Sequence, residues 1–166
     1  MGVTDDILRT LRAGPREVVR DHLALGEQES RAFAFLMLGC AIVFVAQWPQ
    51  LTLRSRSEGI ELDRLVVYAL LGWLMAWPLA FYFLAWLTHG ASRLMGGRGT
   101  PFGARLALFW SWLAASPLAL LGGAAGGLSG SQAANNLLAI VWVGVFAAFW
   151  SAAQREAATG PRGHVA

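Results

Sequence analysis

Residues 106–154 read "LALFWSWLAASPLALLGGAAGGLSGSQAANNLLAIVWVGVFAAFWSAAQ", 49 consecutive residues without a formal charge. A helix needs about 20 predominantly apolar residues to cross the hydrocarbon core of a bilayer. Two such crossings leave roughly nine residues for a turn. The segment "GGAAGGLSGSQAANN" (122–136), with five glycines, is where that turn is expected. Spans are therefore expected at 102–122 and 134–153.

Two more uncharged runs precede this one, 22 residues between Arg31 and Arg54 and 28 between Arg64 and Arg93. They place spans at about 32–50 and 65–92. The second run is about 42 Å long as a helix against a core of about 30 Å, so tilt and a kink at Pro78 are expected. A chain of 166 residues, 56% hydrophobic and 14% charged, has no soluble interior large enough to hide three such runs. The expected fold class is an all-α integral membrane protein with four transmembrane helices. Residues 1–30 form a cytoplasmic amphipathic segment, 31–154 the four-span membrane domain and 155–166 a short cytoplasmic tail. The charged N-terminal residues argue against a cleavable signal peptide.

Two short helices are expected in the N-terminal segment. Thr4 is placed to cap the first, with Asp5 and Asp6 near its positive end. Gly14-Pro15 ends it and starts the second, and Gly26 closes that one. Ile7, Leu8 and Leu11 share a side of the first helix, as do Val18, Val19 and Leu23 in the second. Such a pair suits the membrane interface; packing against the protein's own spans is the other reading of the same stripe. "LRSRSEGIELDR" (53–64) reads as a polar loop, with Asp63 a cap for the next helix.

All thirteen basic residues are arginine. Ten of them fall on one side if both termini are placed there: Arg9, Arg12, Arg16, Arg20, Arg31, Arg93, Arg98, Arg105, Arg155 and Arg162. The positive-inside rule then gives cytoplasmic N- and C-termini, with "SRLMGGRGTPFGARL" (92–106) as a cytoplasmic hairpin. Thr100-Pro101 starts the third span. The pI near 10 reports this topology and leaves no soluble basic face for nucleic acid.

Candidates for chemistry are few. No Asp or Glu lies between Asp63 and Glu156, which weighs against a carboxylate-driven transporter. His22, His89 and His164 have no zinc-like spacing, so no metal, cofactor or catalytic set is expected. Arg93, Arg98 and Arg105 are expected to gather an anionic phospholipid headgroup, helped by free backbone N–H groups in the glycine turn, with His89 a contact nearby. Gly122, Gly126 and Gly130 lie four apart, as do Gly123 and Gly127, a spacing that lets helices approach closely. Ser111, Ser116 and Ser151 are candidates for hydrogen bonds between helices. Trp110 and Trp112 point to different helix faces, so at most one is expected to pack tightly against protein. Cys40, the sole cysteine, reads as a small apolar residue in the first span.

The block "THGASRLMGGRGTPFGARLALFWSWLAASP" (88–117) resembles the Ypt-interacting-protein (Yip) domain family of multispan membrane proteins, in its bacterial branch. A His ends the second span, a Gly-Gly-basic-Gly turn follows, an aromatic opens the third span and Ser116-Pro117 lies inside it. "GPREVVRDHLALG" and "IVWVGVFAAF" fit the same layout, and the likeness covers about residues 14–155. Family members usually have five spans, whereas this chain has room for four. The resemblance implies a non-enzymatic integral membrane protein, and in eukaryotic relatives binding to lipidated Rab-type GTPases. The expected function here is an inner-membrane scaffold that binds a protein partner and, through its arginines, anionic membrane lipids. A small channel or transporter, or an accessory subunit of a larger membrane complex, is the alternative reading.

Overall fold

The computed structural model describes residues 2–129 and 131–159; Gly130 and the tail residues Arg162 and His164 lie outside the described residues. The described residues are all-helical, with no strand. The helices are α1 (Val3–Ala13), α2 (Pro15–Ala24), α3 (Glu29–Ala46), α4 (Trp48–Glu58), α5 (Leu62–Leu71), α6 (Trp77–Leu94), α7 (Pro101–Ser129) and α8 (Gln132–Ala158). A π-helical turn, Gly72–Ala76, joins α5 to α6. Four stretches are long and apolar enough to cross a membrane: Glu29–Ala46, Leu62–Leu94, Pro101–Gly127 and Ala133–Ala158.

The bundle is built around α7. Leu106 through Trp110 and Leu113 through Ala115 are 0% exposed. A helix buried through consecutive residues is enclosed all round, and α3, α6, α8 and the α1–α2 pair supply that enclosure. Both tryptophans of α7 are therefore buried, contrary to the expectation that one of them faces away from protein. Trp110 meets His22 and Phe35 on one side, while Trp112 meets Trp73, Phe81, Trp142 and Phe146 on the other.

The glycine segment expected as a turn is helix to Ser129, and the reversal is completed by Ser131, whose hydroxyl accepts from the Ala134 N–H at 3.4 Å. Glycine costs a helix about 1 kcal/mol per residue, but here close packing requires it. A Cβ on Gly123 would sit 2.0 Å from the Ala46 carbonyl oxygen, and one on Gly127 would sit 2.6 Å from Pro49 Cβ. Gly126 faces Asn135 and Gly122 faces Leu138, so these two lie toward α8 while Gly123 and Gly127 lie toward the α3–α4 junction.

Other boundaries differ from expectation for local reasons. The polar segment after Trp48 is helix α4. Pro49 suits its first turn, Arg54 pairs with Glu58 one turn on at 2.8 Å, and Gly59 ends it in the left-handed region. Asp63 lies inside the first turn of α5, whose N-cap is Glu61. Gly2, not Thr4, is the N-cap of α1, and its N–H donates to Asp5 Oδ2 at 3.4 Å. In the long second span the irregularity is the π turn, which ends one residue before Trp77-Pro78. Proline has no N–H to continue the ladder, and an added residue in the preceding turn absorbs the mismatch. Pro117 likewise frees a carbonyl in α7, and the Ser116 hydroxyl donates to it, Leu113 O, at 2.7 Å. Ser111 and Ser151 also bond within their own helices, so none of the three serines links helices as expected.

Candidate functional site at the hairpin end

The N-terminal helices, the 95–100 hairpin and the end of α8 meet at one end of the bundle. Gly14, with φ 90°, reverses the chain between α1 and α2, and Gly96, with φ 83°, turns it after α6. The Arg98 N–H donates to Ala158 O at 3.0 Å, satisfying one of the open carbonyls that end α8. Gly99 makes this seat possible, because a Cβ there would lie 2.2 Å from Ala157 O. Arg20 of α2 donates to Glu156 of α8 at 2.8 Å. Thr100 Oγ1 accepts from the Gly103 N–H at 3.0 Å, capping α7.

The α2 part of the stripe is buried against the bundle, the second of its two sequence readings, with Ile7 and Leu23 packed half-buried on the core, whereas Leu8 and Leu11 of α1 stay exposed. Val18 and Val19 are in the core. Thr10, fully buried, donates to Asp6 O at 2.9 Å and accepts from Trp110 Nε1 at 3.1 Å. The His22 ring lies against Phe35 and Trp110, with centroids 5.2 and 5.0 Å away. Its Nε2 is 3.5 Å from Asp6 Oδ2, and neither ring nitrogen makes a hydrogen bond. Burial lowers the His22 pKa from its ordinary value; Asp6 and Asp21 oppose this, and Arg31 and Arg9 reinforce it. Arg9 bridges Asp6 and Asp21 at 3.3 and 3.2 Å. Arg31 closes the end of α2 by donating to His22 O and Gly26 O at 2.9 and 3.1 Å. The outer surface keeps Val3, Leu8, Leu11 and Leu25 exposed.

The proposed anion cluster is divided by this geometry. Arg105, half-buried, is paired with Glu29 at the start of α3. Arg93 and Arg98 are exposed on the hairpin, and His89 is half-buried in the last turns of α6. The glycine turn offers no ring of free donors, since the N–H groups of Gly96, Gly97 and Arg98 go to Arg93 O, Ser92 O and Ala158 O. The open positive charge at this end is instead Arg12, Arg16, Arg93, Arg98 and Arg155, exposed and without an ion pair among the described residues.

Sequence reasoning missed the Asp6–Thr10–His22–Trp110 cluster. Asp6 and Thr10 interrupt the apolar face of α1 at i, i+4, which is a signal of a polar contact, but nothing local names a partner 100 residues away. The fold and this end define an all-helical protein with four candidate membrane spans, one of which, α7, is buried at the centre. Compared with protein-family models, curated proteins and solved structures, the chain matches none.

Proposed function

We propose that the chain is a non-enzymatic, multi-pass scaffold of the bacterial inner membrane, of Yip type. In this reading its hairpin end faces the cytoplasm and docks a protein partner with an acidic face, while Arg93 and Arg98 hold anionic lipid headgroups. Leu8, Leu11 and Leu25 lie in the headgroup region beside them. The resemblance of residues 88–117 to the Yip family motivates the class.

The observation that carries the reading is the contrast between middle and end. The middle is filled by α7, fully packed with Trp110, Phe109, Leu106 and Leu113, which leaves a solute no polar path there and disfavours a channel. The end is a seated platform with unpaired arginines. Each basic residue near an anionic surface contributes about 1 kcal/mol.

Four measurements test it. Co-purification in mild detergent should capture a partner with the wild type and lose it in an Arg12→Gln/Arg16→Gln/Arg93→Gln/Arg98→Gln variant. Native mass spectrometry should show weaker retention of phosphatidylglycerol by Arg93→Gln/Arg98→Gln; unchanged retention removes the lipid part. Proteoliposomes should show no added solute flux, and an active alkaline phosphatase fused after Arg98 would overturn the orientation.

A further inference from the structure

On the side of α7 opposite the N-terminal helices, α6 and α8 stand apart and leave a slot of about 310 Å³. Trp73, Trp77, Phe81 and Leu84 form one wall, Trp142 and Phe146 the other, and Trp112 the floor. The π turn shapes the first wall: Trp73 and Trp77 stack at 5.0 Å and 13°, and Trp73 stacks on Trp112 at 5.9 Å and 20°. Such turns interrupt helices at a cost and concentrate at functional positions. Beyond the slot's lining, toward the hairpin end, α6 and α8 are joined by a polar rung, Gln154 Nε2 donating to Thr88 Oγ1 at 3.0 Å. Thr88 is one turn beyond Leu84, and Gln154 is two turns beyond Phe146.

We propose that this slot is a binding site for one acyl chain of a bilayer lipid, with the lipid's ester group at the Thr88–Gln154 rung. The proposal rests on the reading that the four long helices cross a membrane. Three features select this occupant. The floor residue Trp112 is only 4% exposed, so the slot is narrow over it, and a helix about 10 Å across does not enter. The walls present carbon almost throughout, and water needs two to four polar partners to stay. The length also fits: from Thr88 down to Trp77 is about 16 Å of helix, against about 15 Å for half the hydrocarbon core. A primary amide has two N–H groups, so Gln154 keeps one beyond the Thr88 bond for an ester carbonyl.

The test is native mass spectrometry of the full chain, extracted from membranes and exchanged against phosphatidylcholine carrying a dibrominated stearoyl chain, whose isotope pattern marks it. The wild type should retain one such lipid per chain through washing. Ala80→Phe, which fills the slot from its exposed mouth without deleting a contact, should lose it at least tenfold more readily. Gln154→Leu, which keeps bulk and removes the rung, should weaken retention about fivefold. Arg93→Gln/Arg98→Gln should leave this lipid in place, separating the slot from the headgroup site. Retention by Ala80→Phe equal to wild type, in a chain extracted only by detergent, overturns the slot alone. Recovery of the chain without detergent overturns both the slot and the membrane reading.

Discussion

Gly99→Ala tests the seat of the hairpin on α8 with the smallest possible change. The added Cβ would lie 2.2 Å from Ala157 O, 3.0 Å from Ala157 C and 3.0 Å from Ala158 Cα. All three are backbone atoms, so no side chain can swing aside. Ordinary contact begins near 3.4 Å, so hairpin and helix end must part by about 1.2 Å. The Arg98–Ala158 bond, now 3.0 Å, then exceeds hydrogen-bonding range. Overpacking of this kind costs about 1–3 kcal/mol and the lost bond about 1 kcal/mol, which corresponds to a fall in Tm of roughly 5–15 °C. Gly90→Ala is the control. Gly90 is inside α6 with nothing within 4 Å, and the same substitution there should stabilise by about 0.5–1 kcal/mol. Thermal unfolding in mild detergent measures both, and hydrogen exchange over 153–158 locates the loss. Equal Tm values for the two variants, with unchanged exchange at the end of α8, would refute the seated platform.

Gly123→Ala should destabilise more than Gly122→Ala by about 2 kcal/mol or more, because the first meets a backbone oxygen at 2.0 Å and the second only Leu138 Cβ at 3.8 Å; parallel thermal melts decide. Thr10→Val leaves Trp110 Nε1 buried without an acceptor, at a cost of about 1–3 kcal/mol to docking of α1–α2. Trypsin should cut at Arg12 and Arg16 at least several-fold faster, while Thr10→Ser stays near wild type. The His22 pKa is lowered by burial, so the undocked helices bind more protons than the docked ones below the ordinary value of about 6.5. Docking is then strongest above that pH and weakens as pH falls toward the lowered value. Hydrogen exchange over 3–24 at pH 7.5 and 5.5 should show this slope, and His22→Leu should flatten it.

The four long helices were legible in the sequence because charge marks where a chain leaves apolar surroundings, and Arg31, Arg54, Arg64, Arg93, Arg105 and Arg155 bracket them. Which helix sits in the centre was not legible. The α8 stretch has mean hydropathy 1.8 and is 6% buried, whereas that of α7 has 1.5 and is 61% buried. Lipid tails are as apolar as a protein core, so hydropathy does not rank helices by burial. The glycine segment misled for a related reason. Gly123 and Gly127 signal either a turn or a close approach, and only the positions of Ala46 and Pro49 decide between them. At the candidate site the arginines were visible, but the Arg105–Glu29 pair and the Arg98–Ala158 bond join residues far apart in sequence. The first takes Arg105 out of the open set, while the second uses only the Arg98 backbone N–H and leaves its guanidinium open.

The bond between Thr10 and Trp110 also constrains how the chain is made. The two residues are 100 positions apart, and synthesis at roughly 5–20 residues per second puts roughly 5–20 s between them. The Arg20–Glu156 pair, 136 positions apart, waits longer still. Helices α1 and α2, made well before the α7 and α8 residues they bond to, are thus late to find their seat. A nascent chain halted before α7 emerges carries them unshielded, with Val18 and Val19 open to whatever chaperone or insertion machinery stands nearby.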